Sequence, residues 1–155
     1  MPGYRSPDPL SRRALLSTVG AVAVAGCLSD DDPPTPGLDE ISIRNSLDRK
    51  VDAQVTVFKS DDQVYDRTHT LAGFDGYAPG SVVIEEPWMG ANERYEVQID
   101  VPSFDENTFK TEQFLEMAGS VDDIACFDLS VALSGRTIGF FVGANETCSP
   151  PRKDE

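Results

Sequence analysis

Val51-Asp52-Ala53-Gln54-Val55-Thr56-Val57 alternates apolar and polar residues without a break. A period of two puts Val51, Ala53, Val55 and Val57 on one face of an extended strand and the polar residues on the other, the pattern of a half-buried strand. Outward from this run the pattern repeats. Upstream, Ile41 and Ile43 alternate with Ser42 and Arg44, and Asn45-Ser46-Leu47-Asp48 reads as a turn. Downstream, Ser60-Asp61-Asp62 turns into Gln63–Leu71, a polar strand rich in Thr and Tyr. Ala72–Gly80, with three glycines and Pro79, reads as a loop. Ser81–Glu86 carries Val82, Val83 and Ile84; Arg94–Val101 sets Tyr95, Val97, Ile99 and Val101 against Glu96, Gln98 and Asp100. Ile124–Leu133 alternates again, with Cys126 on its polar side, and Ser134-Gly135-Arg136 is a hairpin turn into Thr137–Val142. Thr108–Ala118 fits neither period; a short strand at Thr108–Phe114 is the expectation. No segment offers an amphipathic helix of three turns. Seven or eight short strands with regular turns predict an all-β antiparallel sandwich over residues 40–148.

The chain has 155 residues, 27 of them Asp or Glu and 13 Lys or Arg, for a net charge of −14. Setting aside Arg5, Arg12, Arg13 and Asp8 in the first 26 residues leaves 10 positive and 26 negative charges, or −16. Such a surface repels nucleic-acid phosphates, which excludes a nucleic-acid partner, and it repels anionic lipid headgroups equally. Self-repulsion destabilises a compact acidic domain in dilute buffer, whereas molar salt shortens the screening length to about 3 Å. Four lysines stand against nine arginines. The balance suits a salt-rich environment; the alternative is an ordinary acidic secreted domain.

Ser11-Arg12-Arg13 precedes Ala14–Gly26, an apolar run of small residues without charge, which ends Val24-Ala25-Gly26-Cys27 and is followed by Asp30-Asp31-Asp32. A basic start, a short apolar stretch and a small-residue cleavage site form an export signal over residues 1–26, too short to span a bilayer as a helix. The Arg12-Arg13 pair resembles the twin-arginine export signal. Val24-Ala25-Gly26-Cys27 resembles a lipobox, in which the cysteine takes a lipid and becomes the first mature residue. Cleavage after Ala25, releasing a soluble protein, is the alternative. Residues 27–39 read as the lipidated Cys27 and an acidic, proline-stiffened tether, Leu28–Asp39.

With that signal in front, the segments ISIRNS, VTVF, YDRTHTL, SVVIEE and RYEVQIDV resemble the immunoglobulin-like domains of twin-arginine-exported surface lipoproteins of halophilic archaea, over roughly residues 40–148. The resemblance implies a small immunoglobulin-like sandwich on the outer face of the cell membrane. The antibody-type order Cys…Trp…Cys is absent, since Trp88 precedes both domain cysteines.

With Cys27 assigned to the lipid, Cys126 and Cys148 remain, an even pair in an oxidising compartment, and a disulfide between them would pin the C-terminal tail back across the sheet. Two free buried thiols are the alternative. Residues 149–155 read as a disordered tail. The single histidine, His69, leaves too few ligands for a zinc site or for blue copper, whose site needs two histidines. His69 lies in a strand of Thr and Arg and reads as an exposed strand residue, and no G-x-S-x-G elbow is present. Acid pairs sit at turns, no D-x-D-x-D-G calcium loop occurs, and no phosphate-binding glycine loop leads into a helix. No metal, no cofactor and no catalysis are expected.

Two further features stand out. Pro87-Trp88-Met89-Gly90 places the only tryptophan beside a methionine. The pair Trp88 and Met89 either plugs one end of the sandwich or forms a contact loop for a partner. Asn145-Glu146-Thr147 is an N-glycosylation acceptor pattern on Asn145. The expectation is a membrane-anchored extracellular lipoprotein, held by the lipid on Cys27, whose sandwich binds or scaffolds a protein or glycan. The alternative is a small-ligand-binding accessory of a surface transporter, against which a sandwich this small offers little enclosed space.

Overall fold

Each alternating run forms a strand in the computed structural model, which describes residues 35–150. The signal segment with Arg12 and Arg13, and Cys27 itself, lie outside those residues. The strands are β1 (Gly37–Asn45), β2 (Val51–Lys59), β3 (Asp62–Leu71), β4 (Gly80–Ile84), β5 (Tyr95–Asp100), β6 (Asn107–Lys110), β7 (Cys126–Ser134) and β8 (Thr137–Asn145); one helix, α1 (Thr111–Ala118), separates β6 from β7. They form two four-stranded sheets, β4-β1-β7-β8 and β3-β2-β5-β6, stacked as a sandwich. Among the described residues no helix is long and apolar enough to cross a membrane.

The connectivity differs from that of an antibody constant domain. Constant-type antibody domains keep their first two strands in one sheet, whereas here β1 and β2 lie in different sheets and β2 pairs β3. All pairings are antiparallel except β1 with β7, which run parallel at the centre of their sheet.

Turn chemistry fixes the hairpins. Ser60 and Asp61 both take positive φ (48° and 72°) between Lys59 and Asp62, the handedness that matches strand twist in a two-residue loop. Gly135, at φ 60°, opens the two-residue turn between Ser134 and Thr137. Inside, Leu38, Ile41, Ile43, Val55, Val57, Val97, Ile99, Phe127, Leu129 and Leu133 are fully or almost fully buried. The Phe127 ring stacks on Phe114 at 4.8 Å and tilts against Phe109 at 6.0 Å.

The β1–β7 pair departs from the expected all-antiparallel sandwich, and the expected course of three segments is corrected as well. The expected strand Thr108–Phe114 is β6 as far as Lys110 and helix from Thr111. Thr111 lies where the ladder would next meet Tyr95, but its hydroxyl supplies the contact: it accepts from the Tyr95 N–H (2.8 Å) and donates to the Tyr95 carbonyl (3.3 Å). The backbone is thereby free to coil, the Gln113 carboxamide accepts the Lys110 N–H at 2.8 Å, and Phe114 turns into the core. Second, β1 starts at Gly37, inside the stretch read as tether, with Leu38 fully buried. A bulge between Leu38 and Glu40 resets the alternation, so Leu38 and Ile41 both face inward although three residues apart. Third, Cys126 is in step with Asp128 and Ser130 yet completely buried, because its bond to Cys148 folds the tail over it.

Candidate functional site

β1 runs the length of its sheet, nine residues or about 26 Å, and so defines two ends. At the root end, where the chain enters at Gly37, everything is fastened. The Cys126–Cys148 disulfide closes a span of 22 residues, with Cα atoms 5.1 Å apart. One residue on, Ser149 donates its N–H and its hydroxyl to the two carboxylate oxygens of Asp39, both at 2.9 Å. Ser149, the first residue of the segment read as a disordered tail, is thus held; residues 151–155 lie outside the described residues. Asn145, the residue of the glycosylation pattern, ends β8 and donates from Nδ2 to Asp128 at 3.0 Å.

The Trp88-Met89 loop also belongs to the root end: the Gly90 N–H donates to the Leu38 carbonyl at 2.9 Å. Met89 is buried, and Trp88 is half-buried with its ring centroid 6.0 Å from Tyr65 and 6.2 Å from Tyr95. The Tyr95 hydroxyl donates toward the carbonyls of Ala91 (3.0 Å) and Trp88 (3.3 Å). Burial, and then the charge on Glu93, push the Tyr95 phenol up to about 12. The loop plugs this end of the sandwich.

His69 sits on β3 opposite Ala53, toward the far end, half-buried and not exposed as the sequence suggested. Its Nε2 lies 2.8 Å from the Tyr65 hydroxyl, the two rings are nearly parallel, and the Arg67 guanidinium covers the Tyr65 ring at 5.3 Å. Burial, and then the Arg67 charge, lower the histidine's proton affinity; burial raises that of Tyr65. The neighbours of the imidazole are a phenol and a cation, an arrangement that stabilises the neutral ring.

The far end is built differently. Asn45, the last residue of β1, is fully buried and acts as a hub. Its Nδ2 donates to the carbonyls of Arg49 (2.8 Å) and Ala72 (3.0 Å), and its Oδ1 accepts the Leu47 N–H at 3.1 Å. One side chain thus ties the β1–β2 turn to the β3–β4 loop. The Phe74 N–H donates to the Leu47 carbonyl at 2.6 Å. Gly80 admits the crossing, since a Cβ there would sit 2.0 Å from the Ala72 carbonyl oxygen. At the tip, the Asp75 carboxylate accepts the N–H groups of Tyr77 (2.9 Å) and Ala78 (3.1 Å), bonds that hold its pKa below the ordinary value, and Gly76 takes φ 93°.

This framework carries two aromatic side chains into solvent: Phe74 is 41% exposed and Tyr77 95%. Neither was singled out from the sequence, where Ala72–Gly80 read only as a loop; the signal available was two aromatics inside a run of turn residues. Around them stand Asp48, Arg49, Lys50 and Asp75, all exposed, whose charges cancel.

An open groove of about 700 Å³ lies across β2, β5 and β6, near Phe58, Arg94, Glu96, Lys110 and Glu112. Four of its charged groups pair with one another, Lys110 with Glu96 at 3.3 Å and Arg94 with Glu112, and Asp61 lines its rim. Among the described residues no cluster of three metal-binding side chains occurs. The chain matches no protein-family model, and no curated protein is significantly similar to it.

Proposed function

We propose that this protein is an exported lipoprotein, anchored through Cys27 on the outer face of the cell membrane, whose sandwich is a non-catalytic binding domain that presents Phe74 and Tyr77 to a partner. The observation that carries the binding assignment is the position of Tyr77: it is 95% exposed and braced by the Asp75 turn and the Asn45 hub, at the opposite end of β1 from the chain's point of entry. Rigid, exposed aromatics on a loop at one end of a β-sandwich suit recognition, because tyrosine offers a large contact area at low entropic cost. The local charge balance around the loop lets a partner approach a mature chain that carries −16. An extracellular protein fits this exposed surface better than a small molecule, whose groove would have to break existing ion pairs.

The anchoring half of the reading rests on the twin arginine, the apolar run and Val24-Ala25-Gly26-Cys27, ten positions ahead of β1. The disulfide and the Asp39–Ser149 contacts reinforce the end of the sheet that such a tether would load. The acidic surface suits a salt-rich medium.

Two measurements test the proposal. Membrane fractionation should find the wild-type chain with the membrane and Cys27→Ala in the medium; a Cys27→Ala protein that still sediments with membranes refutes the anchor. Crosslinking on intact cells in high salt should capture neighbours that Tyr77→Ala loses and Trp88→Phe keeps; equal capture by all three refutes the contact loop.

A further inference from the structure

Each sheet of the sandwich has two outer strands, and three of the four are protected. β6 is four residues long, β4 is five, and β3 carries Asp62, Asp66 and Arg67. Short length and charge are the usual devices that keep sheet edges from pairing. β8, the remaining edge, has neither. Its nine residues, Thr137-Ile138-Gly139-Phe140-Phe141-Val142-Gly143-Ala144-Asn145, include no charge and no proline, and its pairing with β7 has no bulge. In a chain of net charge −14 this is an unusual strand.

The direction of its backbone groups follows from two observations. Ser134 and Thr137 flank a two-residue turn, so Thr137, Gly139, Phe141 and Gly143 direct their N–H and C=O groups at β7. The intervening residues point outward, and the Ile138 carbonyl does: it accepts from Asn107 Nδ2 of β6 at 2.8 Å. That contact closes one end of the edge and leaves the backbone of Phe140, Val142 and Ala144 open.

We infer that β8 pairs antiparallel with β8 of a second copy of this chain, with the two-fold axis at Val142. This register opposes Val142 to Val142 and Phe140 to Ala144, and uses only the open groups, without displacing Asn107. On the outer face it sets Phe141, 64% exposed and with its ring near Gly139 of its own strand, directly opposite Gly143 of the other copy, where a Cβ would meet nothing within 4 Å and the ring has room to swing across. A ring laid over a strand glycine is a favourable cross-strand pair. Arg136 precedes the strand and Glu146 follows it, so antiparallel pairing puts these unlike charges of the two copies at the same end of the interface, two positions apart in register. The result is one continuous eight-stranded sheet with an isologous interface. Each root end then lies beside the partner's far end.

Crosslinking in cells expressing the full-length chain tests this register. Val142→Cys should form a disulfide-linked dimer in air, since directly opposed residues of a hydrogen-bonded pair lie about 5.5 Å apart. Phe140→Cys, offset from its own copy by four residues, should stay monomeric on the same non-reducing gel. Adding Phe141→Lys to Val142→Cys should cut the dimer band at least about tenfold. Sedimentation of the otherwise unaltered chain in molar NaCl should show a dimer that Phe141→Lys dissociates into monomers with an unchanged far-UV circular dichroism spectrum, and the wild-type melting temperature should rise with protein concentration while that of Phe141→Lys stays constant. A monomer at tens of micromolar, equal crosslinking of Phe140→Cys and Val142→Cys, or capture of Val142→Cys by a different protein alone would each overturn the inference.

Discussion

The two ends of this sandwich are held by different chemistry. The root end is closed by a covalent bond, a carboxylate–serine clamp and an aromatic plug in which Met89 is buried and Trp88 lies between two tyrosines. The far end is closed by hydrogen bonds radiating from one asparagine, and it sends its aromatics outward. Each end thus carries an aromatic loop, and the rings of the far end are the more exposed to solvent. A tryptophan attracts notice in a sequence, but here it fastens the fold, while the glycine-rich loop at the other end carries the exposed surface.

Perturbing each end in turn should separate strength from display. The largest effect is expected at the root. Cys148→Ser removes the closure of a 22-residue span and leaves the Cys126 thiol buried; chemical denaturation should show a loss of about 3 kcal/mol. A loss under about 1 kcal/mol would mean that the Asp39–Ser149 contacts and the ladder hold this end unaided. Next comes the far-end hub. Asn45→Ala strands the Arg49 and Ala72 carbonyls and the Leu47 N–H, at a cost of roughly 2 kcal/mol. Amide exchange should rise in residues 72–79 and stay unchanged at residues 145–149; a uniform rise would show that the ends are not separate.

Tyr77→Ala should leave stability within about 0.5 kcal/mol, because the side chain touches solvent, and should weaken partner capture at least about tenfold, or about 1.4 kcal/mol. A melting shift without loss of capture would reverse its assignment. The smallest effect belongs to His69. Its folded pKa is depressed by burial and then by Arg67, so the unfolded chain takes up the proton first as pH falls. The stability it contributes is present above about pH 6.5 and is lost as pH drops through the folded value. His69→Asn should therefore show a shallower fall in melting temperature between about pH 7 and about pH 5; identical slopes would place the acid sensitivity elsewhere.

Much of the strand framework was legible because alternation is a local signal: Val51–Val57 and Phe127–Leu133 each need one apolar face, whatever they pack against. The breaks in that signal were not legible. Leu38 looked like tether because the bulge after it interrupts the period, and the switch to helix at Thr111 was hidden because Thr108–Ala118 fits neither period and the side-chain contact that ends the ladder leaves no local pattern. Cys126 and Cys148 could be paired by count, and they are bonded.

The amino-acid order alone determined the export and lipid signals at Arg12, Arg13 and Cys27 as expectations, the acidic surface, and a sandwich of short strands, since these depend on composition and on neighbours along the chain. Tertiary structure alone decided that Trp88 packs between two tyrosines while Tyr77 stands in solvent, that β1 runs parallel to β7, and that β8 is left with an open edge. Each of those depends on which segments meet across the two sheets, and residues as far apart as Asp39 and Ser149 come together only when the sheet closes.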